Sequence, residues 1–397
     1  MNNNFSFVRT ISGPLKSKID DTLWDKVLHL YENEQFAESV RNCINYIDPT
    51  IENKYANPEK TEYTIPHGSI VVSVKITGTE LAVEAPFLSI ESAKKIPILR
   101  QTAQINFTPL TISQIVLEDD KLYFRYSCPL DSCEPYKVYD VLREICINAD
   151  NYDDEFITKF DAGRIREPKV TCYSQEQKDI AWNTIQLYIR EAFSVYEQFE
   201  NKRMTNFLWD VLVITLLKID YLCAPQGNIR NEIEKTLNAM NGKEDYYQRL
   251  SAGKEFLKKI QSMERSAFEN DLYKIDVFVS YKFAANLDTV RTILKYAYET
   301  ADKEIKALDY AGAVLTLQYG ILNLMYSNNA EDSAAEILTK AMEETSGKPI
   351  QEASKRLFEA VQKVMTENNT ARKEAAVKEQ KEEPKEEKGF FKKLFKL

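Results

Sequence analysis

Histidine is the scarcest catalytic group in this sequence: His29 and His67 are the only two in 397 residues. His29 falls in a helical pattern and His67 beside Gly68 in a turn, and neither has a sequence neighbour that completes a triad or a metal site. Both read as packing or incidental polar groups, so catalysis would need some other activated group. Glycine-rich phosphate loops are missing too. Neither GxxxxGK[ST] nor GxGxxG occurs, which removes the familiar routes to nucleotide binding, and no cofactor is expected. There is no basic excess: 52 Lys and Arg against 61 Asp and Glu leave a net charge of -9, so no nucleic-acid partner is assigned. No apolar run approaches the roughly 20 residues of a membrane span. The longest, Phe207 to Leu217, is interrupted by Asp210. The start, MNNNFSFVRTISGPLK, lacks the basic segment and apolar core of a secretory signal. The expectation is a cytoplasmic chain with reduced, mostly buried thiols at Cys43, Cys128, Cys133, Cys146, Cys172 and Cys223.

Two residue clusters invite a metal and fall short of one. Cys128 and Cys133, with Cys146 further on, have no second close pair and no nearby histidine, so they read as free thiols at a strand-to-helix junction. Asp150, Asp153, Asp154 and Glu155 lack the alternating oxygen ligands and turn glycine of a calcium loop, and read as a solvated helix face.

What is present is a change of period. Residues 21–47 repeat apolar side chains at helical spacing, from Leu23 through Val27, Phe36, Val40 and Ile44 to Ile47, and the Asp48-Pro49 pair stops them. Strands follow at 62–65, ended by Pro66, and at 69–76 and 79–86 around Thr77-Gly78. Residues 96–106 return to helical spacing, with Ile98, Thr102 and Ile105 sharing a face with Leu99. Strands at 111–117 and 122–127 form a hairpin across Glu118-Asp119-Asp120-Lys121. Pro135 opens a long helix. The order helix, three strands, helix, two strands, helix predicts an α+β domain with an antiparallel sheet over residues 20–162.

After a proline-containing connection at 163–173, Ser174 with Gln177 forms a capping-box pattern. Helical stretches then fill 174–368, predicting an all-α domain. Residues 274–283 alternate as a strand would, but within helical surroundings they read as a buried loop or bent helix. Residues 307–322 resemble the second helix of a tetratricopeptide-type unit at Asp309-Tyr310, Ala313 and Gly320-Ile321. No 34-residue repeat accompanies them, so small residues at close helix contacts explain them.

Residues 20–160 carry a wider resemblance. The opening amphipathic helix bears Trp24 and Phe36, and a strand pair ends in Val83-Glu84-Ala85-Pro86-Phe87. A middle helix at 98–106 leads into the strand at 112–117, and Tyr123-Phe124-Arg125-Tyr126 precedes the helix from Pro135. In this order the segment resembles the type III secretion chaperone and YbjN-type domain group. The resemblance implies protein binding, commonly dimerisation, and no catalytic residue. Such chaperones are short and stand alone, whereas this chain continues for more than 200 residues.

The end of the sequence is its most specific signal. Residues 369–388 alternate charge with little to bury and predict a disordered, flexible linker. Residues 389–397, GFFKKLFKL, divide cleanly on a helix. Phe390, Phe391, Leu394, Phe395 and Leu397 occupy an arc of roughly 160°, and Lys392, Lys393 and Lys396 fill the other side. This suits the interface of an anionic membrane, and resembles the membrane-targeting helices that end bacterial division-site ATPases. Docking of the same segment into a protein groove stays open. The sequence therefore predicts a non-catalytic adaptor or chaperone-like protein with unidentified protein clients, reversibly peripheral on the inner face of the membrane. A homo-oligomeric helical scaffold, or an enzyme with a carboxylate-based site in the helical domain, are the alternatives.

Overall fold

The computed structural model describes residues 4–13, 18–167 and 169–366. The first helical run is two helices, α1 (Trp24–Glu32) and α2 (Phe36–Ile47), not one. Glu34 between them takes a left-handed φ of 59°, which no helix can continue through. A short α3 (Ile51–Tyr55) leads to strands β1 (Glu62–His67), β2 (Ile70–Ile76) and β3 (Glu80–Ser89). Pro66 does not end β1; it sits opposite Val71 on an edge strand, where a missing N–H costs the ladder little. Then come α4 (Lys95–Phe107), β4 (Gln114–Glu118), β5 (Lys121–Pro129) and α5 (Pro135–Phe160). The strands align antiparallel in the order β1-β2-β3-β5-β4, and a two-residue β6 (Gly163–Arg164) pairs the end of β3. Asp119 and Asp120 both have positive φ, 47° and 56°, as a type I′ hairpin turn demands.

The alternation of β2 and β3 turns one face inward, and α5 crosses β2, β3 and β5 on that face with α2 packed beside it. The strand expected from Thr111 starts only at Gln114. The N–H groups of Thr111 and Ser113 are taken instead by the Glu144 carboxylate of α5, at 2.7 Å each. Burial alone would raise the Glu144 pKa, but these bonds outweigh it and hold the group below its ordinary value.

The second half of the chain is mostly helical. After β7 (Val170–Cys172) come α6 (Gln175–Asn201), α7 (Leu208–Cys223), α8 (Gly227–Met240), α9 (Tyr246–Ser262) and α10 (Arg265–Glu269). Strands β8 (Tyr273–Ile275) and β9 (Phe283–Ala285) precede α11 (Leu287–Lys306) and α12 (Tyr310–Ser327). Strand β10 (Asn328–Ala330), α13 (Asp332–Glu344) and α14 (Ile350–Thr366) complete it. The capping box is formed: the Gln177 N–H donates to Ser174 Oγ at 3.2 Å, and the Ser174 N–H to Gln177 Oε1 at 3.0 Å. The region is not all-α, because β7 pairs β8 and β9 pairs β10. Gly320 lets α12 approach α11. A Cβ there would sit 2.7 Å from that of Ala297, which fits the close-contact reading of residues 307–322.

Two hydrophobic clusters form, and each takes residues from the other half of the chain. Phe5 and Phe7 are buried among the helices of the second half. The Asn4 N–H donates to Lys348 O at 2.7 Å, the Val8 N–H to Tyr188 Oη at 2.8 Å, and the Ile11 N–H to Leu222 O at 2.9 Å. Conversely, Phe278 and Val279 are buried in the cluster of the sheet. The loop between β8 and β9 is thus the buried loop expected, flanked by two short strands, but it fills the other half's core. Among the described residues, no helix is long and apolar enough to cross a membrane.

Candidate functional site

The membrane-seeking residues Phe390, Phe391, Lys392, Lys393, Leu394, Phe395, Lys396 and Leu397, and the linker before them, lie outside the described residues. Two other regions carry function-bearing geometry: an apolar face on α4 and a charged junction between the halves.

Helix α4 is apolar on two opposite sides. Ile98, Thr102 and Ile105 are buried against the sheet and α5. Ile96, Leu99, Ala103 and Phe107 recur three and four residues apart, and so share the opposite stripe. Leu99 does not join the Ile98 face, as the spacing suggested: it is 41% exposed, Ile96 68% and Phe107 87%. Leu117 of β4 is also 47% exposed. The neighbouring edge of β4 is partly blocked. Asn106 Nδ2 donates to Ile115 O at 2.9 Å, and the Ile115 N–H donates to Asn106 Oδ1 at 2.7 Å. The side chain of α4 therefore stands where another strand would pair, a device that discourages edge-to-edge addition. What remains is a row of large apolar side chains on a helix, suited to a facing helix or groove.

The acidic cluster of α5 is not a solvated face. Asp153 is buried, and Asp150 and Asp154 are half-buried, because the second half of the chain packs over them. Arg164 bridges Asp153 and Asp154, the latter at 2.5 Å. The Ser69 N–H donates to Asp150 Oδ1 at 2.8 Å. Gly68, with φ of 56°, is required at this point, since a Cβ would overlap the Asp150 carboxylate at 1.9 Å. From the other half, Asp271 accepts from the Ile229 N–H at 2.9 Å, and Arg230 lies 3.9 Å from the ring centre of Tyr281. Burial, reinforced for Asp154 by Asp153, pushes both Asp154 and Asp271 up to about 6.

His67 is the centrepiece of the same junction. It closes β1 rather than lying in a turn, and its Nδ1 accepts from the Phe278 N–H at 3.2 Å and, at 3.4 Å, from that of Val279. Burial, with Arg230 nearby, pushes its pKa down to about 3, so the ring is neutral. Arg143 reaches from α5 to Ser280 O at 3.1 Å and stacks 4.4 Å from the Phe283 ring centre. The junction holds clustered acids with raised pKa values, the arrangement an acid–base site would use. The space at their centre is about 10 Å³, room for one water. Every one of these acids already accepts from an arginine or a backbone N–H. The bonds that join the two halves are those of their neighbours, His67 to Phe278 and Val279 and Arg143 to Ser280.

The thiols follow the same logic. Five are buried and Cys172 is exposed. Cys128 and Cys133 Sγ stand 3.3 Å apart, and among the described residues no group of three His, Cys, Asp or Glu is placed to hold a metal. His29 is exposed on α1. Neither a comparison with models of known protein families nor one with curated proteins finds a match for this chain.

Proposed function

We propose that this chain is a non-catalytic, protein-binding adaptor that rests reversibly on an anionic membrane through residues 389–397. The α4 stripe is the observation that carries the protein-binding half. Three large apolar side chains on one helix face form a patch that a protein partner would cover. The resemblance of residues 20–160 to secretion chaperone and YbjN-type domains agrees with this use, and the water-sized space among the junction acids favours a clamp over a substrate site.

The occupant of the stripe is a second copy or a client, and sedimentation velocity separates them. A concentration-dependent dimer that the Ile96→Asp, Phe107→Asp double variant abolishes assigns the face to a second copy. A dimer untouched by that variant would contradict the assignment, and a monomer in both chains assigns the face to a client. The membrane half is tested by co-sedimentation with phosphatidylglycerol vesicles. Intact chain pellets at low salt and is released at high salt, whereas a chain ending at Lys388 stays in solution. Equal behaviour of the two would remove the membrane from the account. Each lysine near such a surface contributes about 1 kcal/mol, and a single short helix holds weakly.

A further inference from the structure

The segment at 4–11 forms neither helix nor strand, yet the helical half grips it from Asn4 to Ile11. Three successive N–H groups go to side chains rather than to a backbone ladder. Ser6 donates to Glu191 Oε2 at 2.9 Å, Phe7 to Ser346 Oγ at 2.9 Å and Val8 to Tyr188 Oη at 2.8 Å. The side chains of Phe5 and Phe7, two residues apart, are both buried, and Phe7 stacks on Tyr221 with ring centres 5.2 Å apart. Asn4 is read at both ends of its amide: Nδ2 donates to Thr345 O at 2.9 Å, and Oδ1 accepts from Gln318 Nε2 at 2.7 Å. Bonds to the main chain, with pockets for alternate side chains, are how a receptor reads an extended peptide.

Two groups beneath the segment are poorly served while it is in place. Lys218 of α7 is 1% exposed, with its Nζ 3.7 Å from the ring centre of Tyr188 and 5.2 Å from that of Phe5. Burial outweighs the attraction of Glu191 and pushes the Lys218 pKa down to about 7. Gln318 Oε1 is buried without a hydrogen-bond partner. Water would serve both groups better. Lifting the segment admits that water, which partly offsets the exposure of Phe5 and Phe7.

We infer that residues 4–11 are a detachable strap, and that the groove beneath receives an extended segment of a client protein with the same pattern. That pattern is an asparagine followed at once by two aromatic residues at alternate positions. The inference extends the protein-binding reading to a second surface and does not depend on the α4 stripe. The strap is the client's competitor.

A fluorescein-labelled peptide of residues 4–13 serves as the probe, and its anisotropy is followed with the full chain and with a full-length Phe5→Ala, Phe7→Ala variant. The variant should fold, and should bind the probe at least about tenfold more tightly than wild type, whose own strap competes. A probe with both phenylalanines replaced by alanine should not saturate below about 1 mM. In the wild-type chain, hydrogen exchange at Ser6, Phe7 and Val8 should be at least about 100-fold less protected than at Leu212, Val213 and Ile214 of α7. The inference is overturned if the variant does not fold, if the folded variant does not saturate with the probe below about 1 mM, or if the strap amides are as protected as those of α7. Sedimentation velocity separates the occupants. Self-association of the wild type that the variant loses would assign the groove to a second copy, against a client, and equal sedimentation of the two keeps the client. The Ile96→Asp, Phe107→Asp chain should bind the probe as wild type does, so failure at α4 and failure at the groove are read separately.

Discussion

At the scale of single residues, burial decides chemistry. His67 shows this most clearly, because the second half of the chain seals it and uses it as an acceptor. A histidine pushed down to about 3 stays neutral when folded, while the unfolded chain takes up a proton near 6.5. Between those values the unfolded state binds more protons, so stability falls as pH falls, by about 1.4 kcal/mol per unit from this group. Asp154 and Asp271, raised to about 6, act in the opposite sense. Their folded forms take up protons first, so they add stability as pH falls from about 6 towards 4. His67→Asn keeps an acceptor for the Phe278 N–H and removes the titration. Urea unfolding at pH 7 and pH 5 should show the wild type losing about 2 kcal/mol more than the variant over that interval. Identical pH dependence in the two chains would contradict a sealed, neutral His67.

The thiols supply a second residue-scale expectation. Burial pushes Cys43 up to about 12 and raises Cys133, Cys146 and Cys223 as well. Such thiols carry almost no reactive thiolate. In native protein one thiol, Cys172, should react quickly with Ellman's reagent, and the rest should follow only on unfolding. Several fast thiols would mean the cores open more readily than their packing implies.

At the scale of elements, the stripe on α4 is the feature that folding does not require. Ile96, Leu99 and Phe107 contribute little to the interior, so the Ile96→Asp, Phe107→Asp chain should stay within about 1 kcal/mol of wild type in urea. Its effect belongs to association. The sequence made most elements legible: Pro135 at the first turn of α5, the Ser174 and Gln177 capping box, and the acidic turn of the last hairpin all act locally. The stripe was obscured because α4 is apolar on two sides, and its spacing suits either face. The spacing puts Leu99 on the wrong one, for only the packing of α5 and β4 selects between them. The division of α1 from α2 at Glu34 has no glycine or proline to announce it.

At the scale of the whole molecule, the chain is laced. Its first described residues lie across the helical half, and the loop after β8 enters the core of the sheet. Phe5 and Phe7 belong to no long periodic run, and the alternation at 274–283 says nothing of which core Phe278 and Val279 enter, so their destinations are set by tertiary packing. The same packing turned Asp150, Asp153 and Asp154 from an expected solvated face into a covered cluster. Laced in this way, the two halves present α4 outward, while a charged linker leads to the lysine- and phenylalanine-rich end. The proposal rests on protein covering the α4 stripe at work. Site-specific photo-cross-linking in the living cell tests it most directly, with a photoreactive residue in place of Leu99 and a control at exposed Tyr296. A discrete protein adduct, whether a second copy or a client, is expected from position 99 and none from position 296. Absence of any adduct from position 99 would contradict it.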